Sequence, residues 1–509
     1  MTNQNDGDDV SMNERADIVV AGLGPVGAVL ACLLGQQGLN VIALERSHEV
    51  YPLPRAAHFD HEIMRVFQSI GIADEVLKHA EPAGPYEFRN AKGELLMDAQ
   101  LGERGVSGWA ASYMFNQPGV ERALRARLAA MANVSVRLGQ AFTGFAEAGD
   151  HVDVTATGED GSRTVIEARY LVGCDGARSA VRDAMGVGLD DYQFDEPWLV
   201  VDTIPDDPES VPRVNLQICD PARPTTCVRM GPGRHRWEFM LLPGEDPDRA
   251  LDPDFVETLL EPWNARVEIE RRAVYRFHGL VAKQWRDGRL LLAGDAAHQT
   301  PPFAGQGMCS GIRDAVNLAW KLGEIFRNGA EDALLETYQA EREPCTRSYI
   351  ELAIHMGRLV CSLDPEVAAQ RDAAMLAAAA AGTEIPLPQP CGPGREHGVF
   401  VPGDSAAGTI FPQFVAGDSV RLDDAIGPGT WLIDRKGGAD TPGLRHLATS
   451  DRELAPFREA IEAWLDEQEA QAVLVRPDRY VFGTGTAGEL AERWQGMLGL
   501  AQPGGVFAE

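Results

Sequence analysis

The sequence predicts an α/β fold, in which a parallel sheet of Rossmann type is interrupted by a mainly antiparallel sheet. A buried strand, a glycine-rich turn, a helix and a second strand follow one another at 17–45, which is one βαβ unit. Apolar runs at 170–174 and 289–293 have the character of further buried strands. Between them lie runs typical of a mainly antiparallel sheet, at 198–203, 214–218, 227–230, 237–242 and 267–277.

Composition along the chain suggests where the domains begin and end. The first residues are polar and acidic, and a later stretch is rich in Pro and Gly, as in linkers. The predicted divisions are a disordered tail at 1–15, a nucleotide-binding domain with its helices at 16–190 and 280–381, a substrate-binding sheet at 191–279, a linker at 382–398, and a small α/β domain at 399–509.

Charge limits the kinds of partner this protein can have. The chain of 509 residues carries 46 Lys and Arg against 76 Asp and Glu, a formal net charge of −30. Such a surface repels phosphate backbones and anionic lipid headgroups. We therefore expect no nucleic-acid partner and no membrane partner.

Neither an export signal nor a structural metal site is expected. The uncharged stretch 18–35 is broken by Pro25 and by glycines, and acidic rather than basic residues precede it. The eight cysteines form no CxxC pair and no Cys/His cluster at zinc spacing. The expectation is a cytoplasmic protein with reduced thiols.

The first glycine motif predicts a dinucleotide site. Gly22, Gly24 and Gly27 form GxGxxG after a strand and at the start of a helix, and Glu45 follows about 20 residues on. The glycines let the backbone approach a pyrophosphate, and the acid accepts from an adenosine ribose. Because Glu45 would repel a 2′-phosphate, the site favours FAD or NAD over NADP.

The same pattern occurs again at 483–488, but we do not interpret it as a second nucleotide site. Only 21 residues follow Gly488, which are too few for the second strand of a βαβ unit and its ribose-binding acid.

Two further segments favour FAD, and through them the chain resembles a known family. The segment 171–182 contains Asp175-Gly176 and is similar to the DG fingerprint of FAD-dependent aromatic hydroxylases, while 291–307 contains Gly294-Asp295 and is similar to their GD fingerprint. The resemblance is closest to the group containing 3-(3-hydroxyphenyl)propionate hydroxylase and phenol hydroxylase, through the segments 59–65, 219–224 and 236–243. It covers nearly the whole ordered chain.

The resemblance implies which residues hold the cofactor. Asp295 would accept from a ribityl hydroxyl, and the turn with Pro302, Gly305 and Gly307 would let the backbone at Met308 and Cys309 face the flavin pyrimidine edge. Four further positions match the family's cofactor site, although a structural role for each stays open, and they are Arg46, Arg55, Gln117 and Asp175. For Asp175 the alternative role is a helix or turn cap.

The implied activity is hydroxylation of an aromatic ring. NADH or NADPH would bind transiently and reduce FAD. Reduced FAD would then react with O₂ to give a C4a-hydroperoxide, whose distal oxygen is transferred to a small phenolic substrate. A phenylpropionate-like compound or a simple phenol is the predicted substrate class. The alternatives are a polyketide-tailoring hydroxylase, a flavin oxidase or dehydrogenase, and a flavin-binding protein without catalysis.

The last hundred residues resemble the thioredoxin-like domain of the same hydroxylase group, through the segments 411–413, 421–427 and 475–481. This domain lacks CxxC, so redox chemistry is not expected there. A packing role or a contact in a homodimer is the expectation.

Substrate contacts are expected on the strand at 235–242. Alternation places Trp237, Phe239 and Leu241 on one of its faces and the residues between them on the other. One of these faces should meet the flavin cavity. The candidates for substrate contact are Arg229, Arg236 and Glu238, against the alternative that they are charges of a solvent-facing surface.

Overall fold

A parallel sheet forms the centre of the computed structural model, which describes residues 11–99, 103–383, 391–417, 419–437 and 443–500. Its strands lie in the order Arg286–Asp287, Leu290–Leu292, Arg163–Gly173, Ser11–Ala21, Val41–Glu45 and Val134–Leu138. Strand Val152–Gly158 pairs with Arg163–Gly173, and Gln140–Glu147 pairs with Val152–Gly158. The helices of this part of the chain are Pro25–Gln36, Gln117–Ala129, Ala180–Ala184 and Gly307–Gly323. This is the predicted α/β class.

The first strand begins earlier than expected. Order was predicted from residue 16, but strand Ser11–Ala21 pairs with Arg163–Gly173 from Ser11 onward. Two ion pairs accompany the added residues, from Glu14 to Arg137 and from Arg15 to Glu167. The polar composition of the segment hid a strand whose partner lies about 150 residues away. Residues 1–10 of the predicted tail lie outside the described residues.

A second sheet of eight strands stands beside the first. Its order is His298–Gln299, Val267–Ala282, Leu189–Pro205, His235–Met240, Thr225–Arg229, Asn215–Cys219, Tyr86–Asn90 and Leu95–Ala99. Helix Pro253–Leu260 packs on its outer face against Trp237 and Phe239. The prediction confined this sheet to 191–279, yet strands at both ends of the sheet come from outside that range. Strand Tyr86–Asn90 joins the sheet through Asn215–Cys219, about 130 residues away, and local patterns cannot indicate such a pairing.

Between the two sheets lie a small sheet and several helices. The small sheet has the strands His58–Asp60, Ser112–Phe115 and Ala80–Pro82, and the helices near it are His61–Ile70 and Ala73–Leu77. The long helical stretch predicted to 381 is divided into Glu336–Val360 and Pro365–Ala380. Asp364 caps the second helix and Pro365 opens it, so the break is local. In the described parts of the chain, no helix is long and apolar enough to cross a membrane.

The C-terminal unit is a small α/β domain. Its sheet has the order Leu444–Ala448, Thr430–Asp434, Ala472–Val475 and Val481–Gly485, and a two-stranded ribbon pairs Val415–Ala416 with Val420–Arg421. The helices are Leu422–Ile426, Arg458–Glu467 and Ala487–Met497. The second GxGxxG motif lies on the edge strand of this sheet and at the start of its last helix.

Buried arginines dock this domain onto the nucleotide-binding domain. Asp423 accepts two hydrogen bonds from Arg65, at 3.0 and 2.6 Å, and a third from Arg479 at 3.0 Å. All three side chains are nearly inaccessible to water, and the Arg479 guanidinium lies 3.7 Å from the centre of the Trp431 ring. Because one carboxylate compensates two buried cations, the interface depends on it.

We expect Asp423→Asn to lower the free energy of unfolding by about 3 kcal/mol, because it leaves two buried guanidinium groups without a counter-charge. Glu167→Gln is the matched control, since Glu167 pairs with the exposed Arg15, and its cost should stay below about 1 kcal/mol. Urea unfolding of both variants measures the difference. Equal losses in the two variants would contradict the docking role of Asp423.

Candidate active site

The first glycine turn separates close packing from open space. A Cβ on Gly22, whose φ is +95°, would lie 2.5 Å from the Cys174 carbonyl oxygen, and a Cβ on Gly27 would lie 2.0 Å from the Gly22 oxygen. Gly24 has no atom within 4 Å of the corresponding position. Two glycines are therefore required for packing within the protein, while the third borders a space that a ligand can enter.

Glu45 lies at the end of its strand beside this turn. Its carboxylate accepts from the Leu23 amide and from the Ser47 amide, both at 2.9 Å. These bonds fix its orientation and leave lone pairs for a ribose hydroxyl. Arg46 follows as an exposed side chain.

Asp175 is used locally. Its carboxylate accepts from the Ser179 hydroxyl at 2.5 Å and from the Val181 amide at 3.1 Å, at the start of helix Ala180–Ala184. The geometry is that of a cap, which was the alternative role, and it holds the DG loop against the first glycine turn, where a Cβ on Gly22 would lie 2.8 Å from the Asp175 Cα.

Asp295 lies in the 3₁₀ turn Gly294–Ala296, directly after strand Leu290–Leu292. Its side chain is reached by water, yet surrounding protein desolvates the carboxylate enough to raise its pKa. Behind it His298 is fully buried and bonded to Asp314 at 2.6 Å, and Asp314 also accepts from the Gly294 amide and from Arg342. His298 therefore supports the turn from behind.

The second glycine-rich turn leads directly into a helix. Pro302 begins a short 3₁₀ turn, Gly305 has a φ of +64°, and helix Gly307–Gly323 starts two residues later. The first amides of this helix, including those of Met308 and Cys309, have no acceptor within the helix. The Cys309 side chain is fully buried near the His58 carbonyl, so only its backbone is available to a ligand.

His58 supports this turn from the small sheet. Its Nδ1 lies 3.1 Å from the Gly305 oxygen and its Nε2 meets the Ser112 hydroxyl. Burial lowers the pKa of His58, which favours a neutral ring that donates to Gly305 and accepts from Ser112.

The loop at 54–56 is bonded from both sides. The Gln117 side-chain oxygen accepts from the amides of Arg55 and Ala56, at 2.9 and 2.7 Å, and its amide group donates to Glu121. The Gln117 side chain thus holds the loop in place through these three hydrogen bonds. The Arg55 side chain is exposed and lies 5.0 Å from the centre of the Tyr51 ring.

Arg236 does not line an open pocket as predicted. It donates to Asp202 at 2.6 Å and to the backbone oxygens of Pro54 and Arg55, and all of these contacts are buried or nearly so. Arg271 binds the other oxygen of Asp202, also at 2.6 Å, and the Pro54 oxygen at 2.8 Å. The two arginines fasten the inserted sheet to the loop, a role that strand alternation cannot distinguish from ligand binding.

Arg229 is also paired, with Glu81 at 2.7 Å. Glu238 alone among the three candidates has an incomplete set of partners: its carboxylate is buried and its nearest cation, Arg236, is 3.5 Å away. Burial raises the pKa of Glu238, and Arg236 opposes that shift only in part.

A polar string that the sequence did not predict lies on the same face of the sheet. Thr226 donates to the Gln217 side-chain oxygen at 2.7 Å, Gln217 donates to the Tyr86 hydroxyl, and that hydroxyl donates to the Phe303 carbonyl at 3.3 Å. Phe303 belongs to the turn between Pro302 and Gly305. Thr226 and Gln217 are cross-strand neighbours, a signal the sequence did carry, but Tyr86 joins them from about 130 residues away.

The residues present fit FAD. Open space at Gly24 suits a pyrophosphate, and Glu45 stands where a ribose would lie. The exposed Asp295 carboxylate can accept from a polyol chain, and the first amides of helix Gly307–Gly323 can donate to the ring. The fold and the site together define a FAD-dependent oxidoreductase.

Comparison with known proteins identifies the family. Residues 15–353 match the family model described as FAD binding domain, and residues 442–499 match that described as HcaD C-terminal domain. A probable NADH-specific resorcinol 4-hydroxylase from Rhodococcus jostii (strain RHA1) is 40% identical, with 96% of both chains covered. A 3-(3-hydroxy-phenyl)propionate/3-hydroxycinnamic acid hydroxylase from Mycolicibacterium smegmatis is 35% identical over 96% of this chain and 94% of the relative.

Solved structures agree with the fold. Aklavinone-11 hydroxylase, solved with FAD and aklavinone, superposes with a TM-score of 0.75 over 96% of this chain and 100% of that one, at 24% identity. p-Nitrophenol 4-monooxygenase from Pseudomonas putida DLL-E4 gives 0.66 over 72% and 94%, at 26% identity. The chain belongs to the family of FAD-dependent aromatic hydroxylases.

We expect Gly24→Ala to weaken FAD binding at least tenfold, which corresponds to about 1.4 kcal/mol, without destabilising the apoprotein. Gly27→Ala is the contrasting variant, because its Cβ meets backbone and should cost about 1–3 kcal/mol of stability. Fluorescence titration of apoprotein with FAD and thermal unfolding without FAD separate the two effects. Normal FAD affinity in Gly24→Ala would show that the space at this glycine is not the ligand's.

Proposed function

We propose that this protein hydroxylates a small neutral phenol, using O₂ and NADH. The observation that carries this proposal is the Tyr86 hydroxyl, which extends from the inserted sheet to the Phe303 carbonyl of the flavin turn at 3.3 Å. The Tyr86 hydroxyl, which can form a hydrogen bond with a phenol, would therefore lie beside a flavin ring held by this turn. In balance, the phenol gains one oxygen atom, the second oxygen leaves as water, and NADH supplies the two electrons.

FAD, when bound, supplies the redox chemistry and the activation of O₂. We propose that Gly22, Gly24, Gly27 and Glu45 hold its adenosine diphosphate part, with Arg46, Arg55, Gln117 and Asp175 around them. Asp295 and the turn from Pro302 through Gly305 and Gly307 to Met308 and Cys309 would hold the ribityl chain and the ring. The family assignment and the contacts of these residues support this assignment.

Tyr86 and Glu238 are the proposed substrate contacts. Burial raises the pKa of Tyr86, so its hydroxyl stays protonated, and we propose that its one hydrogen turns from the Phe303 carbonyl to a phenolate oxygen. Glu238 is close enough for its charge to contribute to that shift, and its carboxylate lacks a full set of partners. We propose that it accepts the phenol proton, which makes the ring more electron-rich.

The charges on this face favour a neutral substrate over a carboxylate. Both arginines of the face, Arg236 and Arg271, bind Asp202 and loop carbonyls, while the charge of Glu238 is compensated only in part, by Arg236 at 3.5 Å. Neither of these two arginines is free to bind the carboxylate of a phenylpropionate, and holding that carboxylate close to Glu238 would cost several kcal/mol. A dihydric phenol such as resorcinol avoids this cost.

Three finer points belong to the same proposal. The net charge of −30 and the reduced thiols support a cytoplasmic protein without nucleic-acid or membrane partners. A homodimer through the C-terminal domain follows from the resemblance alone. The domain division 16–190 with 280–381, 191–279 and 399–509 is kept, with the strands at 86–99 added to the substrate sheet.

The test is NADH and NADPH oxidation with resorcinol, phenol and 3-(3-hydroxyphenyl)propionate, with product mass recorded. We expect resorcinol to stimulate NADH oxidation and to gain one oxygen. Its kcat/KM should be at least tenfold above that of 3-(3-hydroxyphenyl)propionate, a difference of about 1.4 kcal/mol. A preference for the carboxylate would refute the neutral-substrate assignment. Oxygen going only to H₂O₂ with every compound would refute hydroxylation.

Glu238→Gln should lower kcat/KM about 100-fold and remove the acid limb of its pH profile. Only an ionised carboxylate accepts a proton, so activity in the wild type falls as the pH drops through the raised pKa of Glu238. Glu270→Gln is the control, because Glu270 pairs with Arg234 on the same sheet. An unchanged acid limb in Glu238→Gln would exclude Glu238 as the proton acceptor.

A further inference from the structure

A tyrosine of the C-terminal domain extends into the part of the protein that holds the flavin turn. The Tyr480 hydroxyl donates to Glu62 Oε1 at 2.8 Å, across 418 residues of sequence. Burial raises the pKa of Tyr480 well above its usual range, so the hydroxyl is protonated and a donor at neutral pH.

Glu62 connects Tyr480 to Arg313. Its second oxygen accepts from Arg313 Nε at 2.6 Å, and Asp60 binds Nη2 of the same guanidinium at 2.5 Å. Burial opposes ionisation of Asp60, but Arg313 outweighs it and lowers the pKa of Asp60 to about 2.

Arg313 in turn binds Gln306, the residue that precedes the helix after the flavin turn. Its Nη1 donates to the Gln306 side-chain oxygen at 3.1 Å, and Gln306 is the N-cap of helix Gly307–Gly323, between Gly305 and Gly307. The three nitrogen atoms of the Arg313 guanidinium thus bind one partner each, namely Glu62, Asp60 and Gln306. A change in how Glu62 is held is felt at Gln306, because a planar guanidinium cannot move toward one partner without leaving another.

We propose that Tyr480 is a positioning residue for the flavin: through Glu62 and Arg313 it fixes the turn at 305–307 and so the helix amides that face the ring. This inference rests on the proposed function only in that the turn holds FAD. It assigns to the C-terminal domain, which lacks CxxC, a part in tuning the flavin.

Docking of the domain does not require this tyrosine. Arg65, Asp423 and Arg479 form one buried cluster across the interface, and Arg476 forms a second with Glu341 at 2.7 Å. Loss of the Tyr480 hydroxyl leaves both in place. The effect of the substitution on the flavin can therefore be separated from detachment of the domain.

The experiment uses Tyr480→Phe in the full chain, with Tyr170→Phe as the matched control. The Tyr170 hydroxyl also donates to a carboxylate, that of Asp332, but Asp332 pairs with Arg286 and takes no part in the contacts that hold the turn at 305–307. Three quantities are measured for each variant, namely the FAD dissociation constant from titration of apoprotein, the visible spectrum of bound flavin, and the two-electron midpoint potential.

For Tyr480→Phe we expect a five- to tenfold rise in the FAD dissociation constant, a shifted flavin spectrum, a more negative midpoint potential, and more H₂O₂ per NADH consumed. Thermal unfolding should match that of the control, whose flavin properties stay those of the wild type. Glu62→Gln provides a second variant and should shift the same quantities, without adding to the effect of Tyr480→Phe in the double variant.

Flavin affinity, spectrum and potential all equal to the wild type in Tyr480→Phe would overturn the inference, as would fully additive effects of the two substitutions. Failure of the proposed function is distinguishable. A wild type that binds FAD but hydroxylates no phenol would refute that function alone, whereas a wild type that binds no FAD would refute both.

Discussion

The loop at 54–56 is the constraint on which the site depends. Its carbonyls accept from Arg236 and Arg271 of the inserted sheet, and its amides donate to Gln117. Asp202 keeps the two arginines side by side despite their like charge, at 2.6 Å from each. Without this carboxylate the two buried cations would repel each other, and the sheet would lose its fixed position relative to the cofactor domain. A substrate site between two domains needs such a fixed distance, because reacting groups must be held within a fraction of an ångström.

The glycine turn to which we assign the cofactor could be predicted from the sequence because its requirements are local. Gly22, Gly24 and Gly27 lie within six residues, and the strand before them and Glu45 after them are visible as patterns. The same holds for the turn that ends at Gly307. The strand at 235–240 had its faces assigned correctly, since Trp237 and Phe239 pack outward while Met240 joins the central core.

The contacts that connect these pieces were not predictable. Arg236 carries the charge expected of a substrate ligand, but whether a buried arginine is free or fully bonded depends on groups such as Pro54, which lies 182 residues away. Tyr86 was missed for the same reason. Tyr480 lies in the segment 475–481 that carries the resemblance, but nothing in that segment indicates its contact with Glu62, 418 residues away. Pairing across hundreds of residues is fixed by packing, and a single sequence does not display packing.

Three parts of the chain converge on one turn, which explains the position of a C-terminal domain that has no redox motif. His58 of the small sheet bonds to the Gly305 oxygen, Arg313 of the long helix bonds to Gln306, and Tyr480 bonds to the partner of that arginine. Each support is buried and directional, so each removes a degree of freedom from a glycine-rich segment that would otherwise move. Rigidity at the turn is useful because donors aimed in advance at a developing charge need no rearrangement during the reaction. The C-terminal domain supplies the outermost of these supports through Tyr480, while the separate clusters around Asp423 and Arg476 attach the domain.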